Sequence, residues 1–374
     1  MPGDPLRILH LYPKGDFFTG AAIQLHELAV GLARRGHEVT IATPPSEAWA
    51  ERCRVAGLPH VALPMQRAFD PRAAWRLGRI IRRQRIQVVH AHKGRARTLA
   101  VLAGFMGARV PLVLNRGVSF SVAGIRRIGY TSPRVHAIVA VCESIKQGLV
   151  DAGVSQDKIE VVYSGTDLDR FHPGVDGTPI RRELGLTAAE LLVTQIGVRS
   201  WRGWTDVITA MGEVARVEPR ARLLFVGVPA PRVAEIAARA AQAGIAGRVL
   251  TLPQRADVPA ILCASDVVVD ASYAGAGITG SIREALACER SVVATAVEGM
   301  PELVRDGETG RLVPPRDPAA MAAAIIATLA DPTVAQTMAR AGRKRVEAHF
   351  SLRAKIDAIE ALYRRLVPGR ELHA

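Results

Sequence analysis

Residues 267–313 read VVVDASYAGAGITGSIREALACERSVVATAVEGMPELVRDGETGRLV, and the fold is decided here. The apolar run 267–271 predicts a strand, and a loop with Gly275, Gly277 and Gly280 follows it. Residues 281–288 predict a helix and 291–295 a second strand, the repeating unit of an α/β domain with a parallel sheet. A helix N-terminus behind glycines has amides without intrahelical partners and partial positive charge, which suits a phosphate. Glu284 falls in the first turn, where a carboxylate can accept from sugar hydroxyls. The stretch therefore predicts a nucleotide-sugar site.

Two other readings fit the same residues. Gly275, Gly277 and Gly280 match GxGxxG, the dinucleotide fingerprint, with Glu298 about 20 residues on as a ribose partner. Ser281 and Glu284 also have capping-box spacing, in which the glutamate bonds back to the serine amide. The glycines alone do not choose among the three.

At 374 residues the chain exceeds a single hydrophobic core, so two domains are expected. Apolar content of 49% with 22% charged residues excludes wholesale disorder. Cys53, Cys142, Cys263 and Cys288 are scattered without a CxxC pair, which predicts reduced thiols and neither a disulfide framework nor a zinc site. Residues 1–15 carry Asp4, Pro5, Arg7 and Lys14, so no signal peptide is expected. No uncharged apolar run reaches the ~18 residues that span a bilayer; residues 98–114 are broken by Arg109 and Pro111. The expected location is cytoplasmic. The net charge of +14 includes a basic amphipathic segment, Arg72, Arg76, Arg79, Arg82, Arg83 and Arg85 among Trp75, Leu77, Ile80 and Ile81. It suits an anionic membrane surface at the inner face as well as a solvated helix. Without a zinc finger, RNA-binding aromatics or a basic tail, no nucleic-acid partner is expected.

Strands and helices alternate through both halves. Residues 171–179, FHPGVDGTP, predict the linker. The expected division is 1–172, an acceptor-side domain, 173–350, a nucleotide-sugar domain, and 351–374, a terminal helix packing back toward the first. Two such domains predict a cleft at the C-terminal ends of their sheets.

Arg199 and Arg202 follow the strand expected at 191–196, where forked cations can converge on a diphosphate; two surface arginines at a turn fit as well. His90 and His92 form an HxH pair, and Asp167 and Asp169 a DxD. No acidic cluster completes the first, and the second sits in a turn, so no metal is expected.

Two long stretches now carry a resemblance. Residues 284–325, EALACERSVVATAVEGMPELVRDGETGRLVPPRDPAAMAAAI, and 139–174, VAVCESIKQGLVDAGVSQDKIEVVYSGTDLDRFHPG, resemble the retaining glycosyltransferases of family 4, the group 1 class. The likeness implies two facing Rossmann-like domains, the GT-B fold. It implies transfer of a sugar from a nucleotide-diphosphate donor, UDP or GDP, to a hydroxyl of a saccharide or lipid-linked acceptor, with no metal or cofactor. By the same likeness Glu284 binds the ribose, and Arg199 and Arg202 neutralise the diphosphate. Gly277, Ile278, Thr279, Gly280 and Ser281 wrap the donor, and Gly20 lies in the loop near acceptor and diphosphate. The sequence departs from the family at Ala276, where a sugar-binding glutamate is usual, and at Ala21 in place of a loop glycine. Asn115, Arg116 and Gly117 stand where the family often has a histidine. His90, His92 and Arg116 are the candidates on the acceptor or sugar side. The competing expectations are a nucleotide-sugar-binding relative without transfer and an NAD-dependent oxidoreductase.

Overall fold

Runs of Val, Leu and Ile, buried on both faces, make the strands of this protein read as continuous apolar segments, as parallel sheets require. The computed structural model describes residues 4–17, 19–67, 69–119, 122, 124–275 and 277–367. The elements begin β1 (Arg7–Leu11), α1 (Gly20–Arg34), β2 (Glu38–Thr43), α2 (Glu47–Val55), β3 (His60–Ala62), α3 (Pro71–Arg83) and β4 (Val88–His92). Next come α4 (Gly94–Phe105), β5 (Leu112–Arg116), α5 (Ile125–Thr131), β6 (Ala137–Ala140), α6 (Glu143–Asp151) and β7 (Ile159–Val161). Then follow α7 (Thr178–Glu183), β8 (Leu191–Ile196), α8 (Trp204–Val217), β9 (Ala221–Val226), α9 (Ala230–Gln242), β10 (Val249–Leu252) and α10 (Val258–Ala264). The chain closes with β11 (Val267–Asp270), α11 (Gly280–Ala287), β12 (Ser291–Thr295), α12 (Met300–Leu303) and β13 (Arg311–Val313). Three helices end it: α13 (Pro318–Ala330), α14 (Pro332–His349) and α15 (Leu352–Leu366).

Two units result: Met1–Gly165 with Leu352–Ala374, and Thr166–Ser351. The first holds a seven-stranded parallel sheet in the order β3-β2-β1-β4-β5-β6-β7. Side chains alternate across it. Val88 and Val113 face the core built by α1 and α15, while Val89 and Leu112 face Leu77 of α3 and Ala100 of α4. Ile356, Ile359, Leu362 and Tyr363 of α15 share one apolar cluster with Leu25, Leu28 and Leu32 of α1. The second unit is a six-stranded parallel sheet in the order β10-β9-β8-β11-β12-β13. Both are Rossmann-like.

The linker expectation needs correction. Phe171 is buried, and a Cβ on Gly177 would sit 2.4 Å from the Ala264 nitrogen, so residues 171–179 are fastened to the second unit and do not join the two. Gly177 permits that close approach, and the chain changes unit between Gly165 and Thr166 and again at Leu352. Among the described residues, no single helix is long and apolar enough to cross a membrane.

Candidate functional site

In the second unit two loops leave adjacent strands at their C-terminal ends. The first runs from Gly197 to Gly203 after β8, and the second from Ala271 to Thr279 after β11. They are fastened together: the Tyr273 amide donates to the Trp201 carbonyl at 3.0 Å, and its hydroxyl to the Ser200 carbonyl at 2.9 Å. Gly203 is held at φ 58°, and a Cβ there would meet the Ala271 carbonyl oxygen at 2.1 Å, so only glycine permits this approach. Gln195, fully buried on β8, braces the first loop by donating from Nε2 to the Gly197 and Arg202 carbonyls, both at 3.1 Å.

Arg202 reaches across from the first loop. Its Nη1 bonds the Asp270 carboxylate and donates to the Thr279 hydroxyl at 3.3 Å. Asp270 is fully buried at the end of β11, and its other oxygen accepts from the Ser272 amide at 3.2 Å. Nε and Nη2 of Arg202 have no hydrogen-bond partner among the described residues. Arg199 behaves differently. It is exposed, its guanidinium carbon 5.6 Å from the centre of the Trp201 ring, whereas Arg202 is held by Asp270 and Thr279.

The glycine loop is anchored from behind. Glu298, just past β12, accepts the Gly275 amide at 2.6 Å and the Gly277 amide through its two carboxylate oxygens. The acidic residue about 20 positions after GxGxxG is thus spent on the loop's own amides, against the ribose role that the dinucleotide reading needs. Gly277, Ile278, Thr279 and Ser281 are buried. Ala276 lies outside the described residues.

The capping-box reading also needs correction. Helix α11 starts at Gly280 with Thr279 as N-cap, which puts Ser281 inside the first turn, and its buried hydroxyl has no partner. The Thr279 hydroxyl lies 3.4 Å from the Asp270 carboxylate and bonds Arg202, so no side chain caps the helix start. Those amides stay open to an anion. The Glu284 carboxylate turns back toward them, with Oε1 3.7 Å from where a Gly280 Cβ would stand.

In the first unit Gly20 opens α1 behind the cap Thr19, is exposed, and a Cβ there would meet nothing within 4 Å. His90 and His92, expected on the acceptor or sugar side, are buried in the sheet instead. His90 pairs with the Tyr363 hydroxyl at 2.6 Å, and His92 Nε2 lies 3.1 Å from Nδ1 of His10 on β1. The reason is register: His10 stands beside His90 across β1 and β4, and α15 lays Tyr363 over both. Burial pushes the His10 imidazole down to about 3 and holds His90 and His92 well below the usual range. One nitrogen from each of the three lies within 4.8 Å of the others, a spacing that can hold a metal. The charges acting on them are the cations Lys355 and Lys93, which oppose a divalent ion. Arg116 at the end of β5 donates to the Tyr130 hydroxyl at 3.1 Å.

Several participants escaped the sequence. His10, Gln195 and Asp270 look like ordinary strand residues until the sheets align them. Cys263, near the end of α10, donates from Sγ to the His172 carbonyl at 3.6 Å, and Cys288 is the C-cap of α11. Arg290 bridges their carbonyls at 3.5 and 3.0 Å. Asp167 accepts the Asp169 amide at 3.0 Å, the turn role expected of it.

Comparison with known proteins fits these units. A model described as Glycosyltransferase Family 4 matches residues 18–170, and one described as Glycosyl transferases group 1 matches residues 191–331. A D-inositol 3-phosphate glycosyltransferase of Segniliparus rotundus is 35% identical over 221 residues. That match covers 58% of this chain and 49% of the relative, so it spans about half of the relative's length. The enzyme of the same name from Mycobacterium bovis is 29% identical over 411 residues, covering 97% of this chain and 84% of the relative. Among solved structures, Anabaena HepE in complex with UDP superposes with a TM-score of 0.86 at 21% identity, covering 96% of this chain and all of its own (100%). A Rickettsia africae glycosyltransferase does so with 0.89 at 19% identity, covering 98% and 100%. With one of the two models on each Rossmann-like unit, in chain order, the chain belongs to the group 1, family 4 glycosyltransferases of the GT-B fold.

Proposed function

We propose that this protein is a retaining glycosyltransferase that moves a sugar from a nucleoside-diphosphate donor to a hydroxyl acceptor without a metal ion. The observation that carries the reading is the meeting of Arg202 with Thr279 at the uncapped start of α11, one turn from Glu284. A departing diphosphate develops charge as the anomeric carbon gains oxocarbenium character. Open donors of Arg202 and the first amides of α11 offer fixed positive ends to that charge. They need no reorganisation at the moment of cleavage. Glu284 accepts from the ribose hydroxyls, and the loop held by Glu298 closes around the phosphates. The relatives named D-inositol 3-phosphate glycosyltransferase make a phosphorylated polyol one acceptor class to test, beside sugars and lipid-linked saccharides.

The test is a panel of UDP- and GDP-sugars with these acceptors in the presence of EDTA, with the product's anomeric configuration read by NMR. Turnover with retained configuration is expected. Nucleotide binding without turnover across the panel would favour the binding-only relative. Inverted product would overturn the retaining mechanism, and loss of turnover in EDTA its metal independence. An NAD-induced thermal shift without one from UDP or GDP would revive the oxidoreductase, although Glu298 is already committed to the loop amides.

A further inference from the structure

The protein's net charge has a single address. Residues 71–142 contain 14 arginines and lysines and no aspartate or glutamate. Taking those 14 from the chain's 49 basic residues leaves 35, which match its 35 acidic residues, so outside this segment the formal charge is zero. The whole +14 belongs to α3, α4, α5 and the strands between them.

On α3 the structure turns this charge outward, whereas Arg97 of α4 is buried against Tyr130. On α3, Ala73, Ala74, Leu77 and Ile81 are buried. At roughly 100° per residue, Arg72, Trp75, Arg76, Arg79, Arg82 and Arg83 fall on the opposite arc. None of these five arginines forms an ion pair among the described residues. Asp70, the one carboxylate next to the helix, is used as its cap and accepts the Ala73 amide at 2.9 Å. Large apolar side chains stand among the cations. Phe69 is 67% exposed, Trp75 50%, Phe105 59% and Ile128 65%. No other aromatic ring among the described residues is counted with the exposed large hydrophobics. Arg79 lies 4.8 Å over the Trp75 ring, and Arg134 5.4 Å over Phe105.

We propose that the face formed by α3, α4 and α5 of the first unit docks on an anionic phospholipid bilayer. Arginines meet headgroup phosphates, while Trp75, Phe69 and Phe105 enter the interfacial layer. Uncompensated basic residues each favour such a surface by an amount that several together make decisive, and aromatic rings settle at headgroup depth. A nucleic acid would share the charge preference. It favours rings aligned along one strand-binding track, whereas Phe69, Trp75 and Phe105 lie on separate elements, before α3, on α3 and at the end of α4. The inference goes beyond the transfer reaction and does not rest on it.

The full chain is sedimented with vesicles of phosphatidylcholine alone and of phosphatidylcholine mixed with phosphatidylglycerol, at low and high salt. Binding to the mixed vesicles only, weakened by salt, is expected. The R76E/R83E double variant should lower partitioning at least tenfold, R76Q/R83Q by less, and Trp75→Ala should remove the vesicle-induced blue shift of tryptophan fluorescence. All these positions are exposed, and a melting curve for each variant checks the fold. The proposal falls if mixed vesicles do not bind, if neutral vesicles bind equally, or if the charge variants partition like the parent. It falls equally if polyuridylate binds in a manner sensitive to R76E/R83E while vesicles do not.

Discussion

Arg202 and Asp270 form an ion pair that ties the loop after β8 to the end of β11, the aspartate fully buried and the arginine side chain 20% exposed. Removing the cation strands a buried carboxylate. Arg202→Ala should therefore cost about 3 kcal/mol of folding stability as well as activity. Arg202→Lys keeps the charge but loses the forked donors, so it should melt close to the parent while transfer drops at least tenfold. Urea titrations and initial rates on both variants separate the two contributions.

Glu298 holds the glycine loop by its amides. Glu298→Ala releases the Gly275 and Gly277 amides from a charged acceptor, at a cost of about 2 kcal/mol. Hydrogen exchange at those two amides should accelerate by roughly tenfold or more, equivalent to about 1.4 kcal/mol of local opening. Unchanged exchange would mean that the loop is ordered by something else.

Glu284→Ala tests ribose recognition without disturbing the helix start, because Thr279 and not Ser281 occupies the cap. Titration calorimetry should show UDP or GDP affinity lowered by an order of magnitude or more with an unaltered melting temperature. Ser281→Ala removes a buried hydroxyl that has no partner, so it should be neutral or slightly stabilising.

The neutral imidazoles of His10, His90 and His92 make stability pH-dependent. Their folded pKa values lie below the ordinary ~6.5, so the unfolded chain binds protons first as pH falls. Stability is full above that value and declines below it, toward about 3 for His10, each buried histidine adding up to about 1.4 kcal/mol per pH unit. Urea midpoints between pH 7 and 5 should fall steeply, and His10→Gln should flatten the slope.

Cys263 should be the most reactive thiol. The neighbouring Cys288 thiol and the Arg290 cation pull it down to about 7, while burial raises Cys53 to about 11. Iodoacetamide labelling followed by mass spectrometry should rise through a midpoint near 7 at Cys263, and Cys288→Ala, which removes the donor, should move that midpoint upward.

Legibility followed locality. The apolar run 267–271 announces a buried parallel strand, found at Val267–Asp270, and α15 spans the residues its periodicity predicts. The helix of Glu284 is legible because a strand, glycines and a helix follow one another directly, but its cap at Thr279 lies two residues before the Ser281 that spacing suggested. What stayed hidden depends on pairing across sequence. Asp270 reads as the end of a strand until β8 is laid beside β11, and His10 gains its meaning only from the register of β1 with β4. Glu298 was visible but ambiguous, since spacing alone does not tell a ribose acceptor from a loop anchor. Residues 171–179 misled because an exposed turn with prolines and glycines looks the same whether it joins two units or lies within one, as Gly177 against Ala264 shows it does.

Tyr363 and its neighbours on α15 complete the core of a unit whose other residues were made long before. On the ribosome the apolar side of α1 therefore waits, unfinished, until α15 has been made, while Thr166–Ser351 is free to settle first. A premature stop near residue 351 would spare the later-made half and leave the earlier-made half as a substrate for chaperones and proteases, reversing the usual polarity of truncation damage.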